Sequence, residues 1–103
     1  MSIRRYTTPT YHLTVENIDI SFAEVYVTFK QKSITKTFSG DSIEMSYDGT
    51  NTGIDIYFSQ EDTSAFTANK TAEVQVNWII NGRRNATAIS VVDITRNLLE
   101  EVI

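Results

Sequence analysis

From Ala72 to Ile80 the chain alternates with a period of two: Ala72, Val74, Val76, Trp78 and Ile80 on one side, Glu73, Gln75 and Asn77 on the other. Only a pleated strand collects such positions on one face, because a helix of 3.6 residues per turn would scatter them. Asn81-Gly82 follows at once. Both central residues of a type I′ turn need positive φ, and this dipeptide supplies it most readily, so the strand is expected to fold back as a hairpin. The returning run, Ala86 to Ile94, changes face midway: Ile89 and Val91 are odd, Val92 and Ile94 even. That slip predicts either a β-bulge or a strand that switches partners.

Shorter runs repeat the pattern. Tyr11, Leu13 and Val15 share one face, as do Val25, Val27 and Phe29. Tyr26 interrupts the polar side of the second run. Residues 33–38 place Lys36 between Ile34 and Phe38, which suggests a sheet edge. Ile43, Met45 and Tyr47 precede the cluster Asp48-Gly49-Thr50-Asn51-Thr52-Gly53, and Ile54, Ile56 and Phe58 follow it. Two alternating runs around a Gly/Asn loop predict a second hairpin. The residue stock agrees: 14 Thr, 12 Ile and 8 Val stand against 3 Leu and 6 Ala, and branching at Cβ favours a pleated surface over a helix.

One segment departs from this. Ser59-Gln60-Glu61-Asp62 pairs a hydroxyl N-cap with an acid three residues on, which predicts one or two helical turns over residues 60–66. The last residues, Asn97 to Ile103, fit a frayed strand or a short helix. The expected fold is therefore all-β: an immunoglobulin-like β-sandwich of about seven strands with one short helix, as a single domain over residues 1–103. A small barrel is the alternative. The core should contain Val25, Val27, Phe29, Ile54, Ile56, Phe58, Val74, Val76 and Trp78.

Composition excludes several functions. A net charge of −4, with the only basic pairs at Arg4-Arg5 and Arg83-Arg84, offers no counterion-displacing surface for nucleic acid or anionic membrane. There is no cysteine, hence no disulfide and no thiolate chemistry. No apolar run approaches the ~20 residues of a membrane span, and no secretory h-region is visible. His12, the only histidine, has no Gly-x-Ser-x-Gly partner and is expected as a partly exposed strand residue. The loop from Asp48 fails the calcium pattern, with Thr50 and Thr52 at the third and fifth places and Ser59 at the twelfth. No enzyme, metal or cofactor is expected. Tyr26 and Tyr57, on the polar faces of their strands, are the candidate platforms for a carbohydrate or other ligand.

The opening Ile3-Arg4-Arg5-Tyr6-Thr7-Thr8-Pro9-Thr10 resembles the start of a family of small proteins encoded in phages and prophages of Gram-positive bacteria, whose usual form is Ile-Arg-Arg-Gly-Thr-Thr-Pro-Thr. The likeness continues at Ser59-Gln60-Glu61-Asp62-Thr63 with Phe66, at Glu73-Val74-Gln75-Val76, and at the Val-Ile close. Tyr6 is a departure: the family has Gly there, and a special backbone conformation would account for it. The resemblance implies a structural or assembly protein of the tail or baseplate region, present in the host cytoplasm during assembly and then in the virion. Its partners would be other phage structural proteins or further copies of itself.

An interface is expected at the terminal segments. Residues 1–10 are polar, with Arg4 and Arg5, and have little to fold with alone. Leu98, Leu99, Val102 and Ile103 are four apolar side chains that need a cover, either the domain's own sheet or a neighbouring chain. The alternative function is a ligand- or carbohydrate-binding sandwich module.

Overall fold

A computed structural model describes residues 2–103. They form β1 (Ser2–Arg4), β2 (Thr10–Val15), β3 (Glu24–Gln31), β4 (Ile34–Phe38), β5 (Ile43–Tyr47), β6 (Thr52–Tyr57), α1 (Gln60–Ser64), β7 (Lys70–Ile80), β8 (Arg83–Ala86) and β9 (Ser90–Thr95), with a short 3-10 turn at Gly40–Ser42. Two sheets face each other as a sandwich. The smaller runs β2-β6-β5; the larger runs β1-β9-β7-β3-β4, with β8 also on β7.

The expected core residues are all buried. Phe29 of β3 is the hub of the joint between the sheets. Its ring meets Tyr11 of β2, Phe38 and Phe58 edge-on, with centroids 5.4, 5.8 and 5.1 Å away. Such T-shaped pairs add roughly 0.5–1.5 kcal/mol each beyond the area they bury. Trp78 is also core, 8% exposed, as its shared face with Val74 and Val76 requires.

The Asn81-Gly82 hairpin is present, with φ of 52° and 75° at the two turn residues. The returning strand differs from the expected continuous run. β8 pairs Ala86 with Asn77, whereas β9 pairs Ser90 with Val74. Three residues, 87–89, therefore oppose two, 75 and 76, and the chain carries one extra residue. This is the β-bulge alternative, not a change of partner. It turns Val92 and Ile94 into the core and leaves Ile89 and Val91 exposed. Thr87 secures the bulge, its N–H donating to Val76 O at 2.9 Å while its Oγ1 accepts from Val76 N at 3.1 Å.

Nine strands stand where about seven were expected, because the last run is split and because residues 2–4 form a strand. The latter corrects the reading of residues 1–10 as an arm with nothing to fold against (Met1 lies outside the described residues). β1 pairs parallel with β9, and Ile3 is fully buried beside Ile94. The helix is also shorter than expected, ending at Ser64, and Phe66 drops into the core just beyond it. Its start is as expected: Asp62 N donates to Ser59 Oγ at 3.1 Å, and Ser59 N to Asp62 Oδ2 at 3.0 Å.

The three buried polar residues each clamp a loop. Gln31 holds both backbone groups of Thr67, Thr52 Oγ1 bridges Ile18 and Ile20, and Thr63 Oγ1 bonds both backbone groups of Thr7. Buried hydroxyls and amides cost stability unless satisfied in this way. The Thr63–Thr7 pair fixes the N-terminal segment against α1, and so sets the geometry of the surface described next.

Candidate assembly surface

The chain's two terminal segments and α1 meet at one end of the sandwich. Arg5 is the knot. Its Nη1 reaches both carboxylate oxygens of Glu100 at 2.6 Å, and Nη2 donates to Ser64 O at 3.0 Å. The guanidinium also lies 5.2 Å from the Tyr6 ring centre. Arg5 is thus largely engaged within the chain, with its side chain 20% exposed. Arg4 is exposed, although its Nη1 donates to Arg96 O at 2.6 Å.

The tail is neither strand nor helix. Its backbone is held nonetheless. Asn97 Nδ2 donates to Arg5 O at 3.2 Å, and the Gln60 amide binds both backbone groups of Ile103. The fold leaves Leu98 and Ile103 open and covers Leu99 and Val102 only about half. Leu98 is 90% exposed, Ile103 80%, Val102 53% and Leu99 49%. The backbone of the tail is thus held in place while these apolar side chains point away from the core.

Tyr6 sits at φ 59°. This is the left-handed region, costly for a bulky residue. The turn directs the chain from β1 toward Thr7 and Thr63.

Away from this end, His12 is an exposed strand residue, as expected. Sequence reasoning missed its partner: Asp55, directly opposite on β6, accepts from or is paired with Nδ1 at 2.6 Å. Gly53 makes room for the ring, because a Cβ there would lie 3.1 Å from His12 Cε1. Among the described residues no hydroxyl bonds the other ring nitrogen, and no cluster of three metal-ligating side chains occurs. Tyr26 and Tyr57 occupy the outer faces of opposite sheets, so they do not form one platform. The Tyr57 hydroxyl titrates above its ordinary value because the Glu44 carboxylate lies beside it. Arg83 and Arg84 are exposed on β8, a solvated edge. No helix among the described residues is long and apolar enough to cross a membrane.

Compared with models of known families and with curated proteins, the chain matches none.

Proposed function

We propose that the chain is a phage-related structural or assembly protein of the tail or baseplate region, acting through protein–protein contacts at its tail surface. The observation that carries this reading is the display of Leu98, Leu99, Val102 and Ile103 on a backbone pinned by Gln60, Asn97 and Glu100. Exposed apolar groups gathered in one segment mark interaction sites on many domains. The opening Ile3–Thr10 and the Ser59–Thr63 motif, by their resemblance, supply the phage context. On this reading the chain has no catalysis of its own, binds neither nucleic acid nor membrane, and is made in the host cytoplasm before it joins the particle. Mass spectrometry of purified particles tests the assignment: the chain should be recovered with the other virion proteins, and its consistent absence would remove the virion role.

The immunoglobulin-like form of the sandwich belongs to the same proposal. Its support is the strand order, in which β2-β6-β5 and β4-β3-β7-β9 correspond to the B-E-D and C′-C-F-G neighbours of that fold.

A second reading, a carbohydrate-binding module, rests on the hollow of about 320 Å³ beside Tyr26, edged by Thr28, Thr37, Asn77 and Arg84. One aromatic with polar neighbours is the minimum for sugar stacking. Tyr57 does not join it, so this reading stands second. Titration with a glycan panel, following Tyr26→Ala, separates the two.

A further inference from the structure

Every exposed sheet edge except one carries a feature that opposes pairing with another strand. β4 points a charged side chain, Lys36, toward the core side, on the same face as Phe38. β8 presents Arg83 and Arg84 and runs into the bulge at residues 87–89. β1 is three residues long and ends in Arg4. β5 carries Glu44 and runs into Asp48. Inward charges, edge charges, short strands and bulges are the means by which soluble proteins blunt their edges.

β2 has none of them within the strand itself, although Pro9 and Glu16 flank it. Its six residues, Thr10-Tyr11-His12-Leu13-Thr14-Val15, include no Lys, Arg, Asp, Glu or Pro, and it pairs without interruption with β6 alone. The hydrogen bond from Phe58 N to Pro9 O sets the phase of that ladder. Antiparallel bonding alternates, so the odd residues bond toward β6 while Thr10, His12 and Thr14 turn their N–H and C=O groups outward. Beside this edge lies a groove of about 240 Å³ of mixed lining, with Leu13, Thr14 and Val15 on one side and Val74, Val76 and the polar Gln75, Thr87 and Ser90 among the residues across from them. Leu13 is only half buried there.

We infer that β2 pairs antiparallel with β2 of a second copy of this chain, so that two three-stranded sheets join into one. The occupant is a second copy because the edge is complementary to itself. A two-fold through Leu13 sets Leu13 opposite Leu13, Tyr11 opposite Val15 and His12 opposite Thr14. Every pair then matches in face, and the outward groups of His12 and Thr14 exchange bonds. No like charges meet, whereas a two-fold through Arg84 of β8 would set Arg84 against Arg84. The inward side chains of the added strand project toward the groove. This contact uses no residue of the tail and stands or falls separately from it.

The test is sedimentation equilibrium of the full chain and of Thr14→Pro over a roughly thousand-fold range of concentration. Proline is tolerated on an edge where the lost N–H faces outward, so the β2–β6 ladder survives while the outer one is blocked. The full chain should associate through β2, and Thr14→Pro should weaken that step by roughly a hundredfold or more at an unchanged melting temperature while leaving any step through the tail as it was. Hydrogen exchange on the unaltered chain gives a second reading, independent of the variant's folding. The amides of His12 and Thr14 should be protected at high concentration and exchange freely on dilution. A monomer at every concentration, an association curve that Thr14→Pro leaves unchanged, or concentration-independent exchange at His12 and Thr14 would overturn the inference.

Discussion

Gln60 holds Ile103 by both of its backbone groups, donating from Nε2 to the carbonyl at 2.7 Å and accepting at Oε1 from the amide at 2.8 Å. A side-chain amide reproduces here the pairing that a neighbouring strand would give, and the apolar side chains of the tail are presented instead of collapsed. Replacing Gln60 by Ala should free the last residues without harming the sandwich. Backbone relaxation measured by NMR should show order lost over residues 98–103, with global stability changed by less than about 1 kcal/mol, since two exposed hydrogen bonds are at stake.

Tyr6 gives a second prediction, with the opposite sign. At φ 59° a tyrosine pays a conformational cost that glycine does not. Tyr6→Gly should stabilise the fold by up to about 1 kcal/mol, the gain being trimmed by the greater freedom of glycine in the unfolded chain and by the lost contact with Arg5. Tyr6→Val should destabilise it. Urea unfolding of the three proteins measures both.

How much of this was legible in advance depends on the kind of interaction involved. Periodicity alone placed Val25, Val27, Phe29, Val74, Val76 and Trp78 in the core, because burial on a strand is a local pattern. It also located the slip at residues 86–94, since one extra residue exchanges the two faces. β1 was not legible: Ile3 is a single apolar residue among polar ones, and its burial depends on Ile94, far away in sequence. The same holds for Arg5 and Glu100, or His12 and Asp55, which only the folded topology brings together. For the tail, hydrophobicity indicated that something must cover it. The sequence carries no signal for Gln60 fixing Ile103, because Gln60 belongs to the helix start.

Asp48 provides a pH-dependent test. Its carboxylate accepts from Asn51 N at 2.7 Å and Thr50 N at 2.9 Å, and these bonds hold its pKa below the ordinary 3.8. A group whose pKa is depressed on folding stabilises the protein above the unfolded value and loses that contribution as pH falls through the folded one. Asp48→Asn should therefore melt below the parent at neutral pH, and the gap should close on acidification to pH ~2. Thermal melts at both pH values decide it, and a gap that persists in acid would mean the loop is held by something other than the ionised carboxylate.

The central claim is that the tail is an assembly surface and not part of the core, and the most direct measurement is removal of residues 97–103. Sedimentation velocity and thermal melting are followed on the full chain and the shortened one, both carrying Thr14→Pro so that β2 cannot contribute. The account predicts that association beyond the monomer disappears with the tail while the melting temperature falls by no more than the few degrees that losing the Glu100 and Asn97 bonds to Arg5 would cost. A chain that is monomeric before the deletion and melts markedly lower after it would contradict the account and assign Leu98, Leu99, Val102 and Ile103 to the stability of the sandwich.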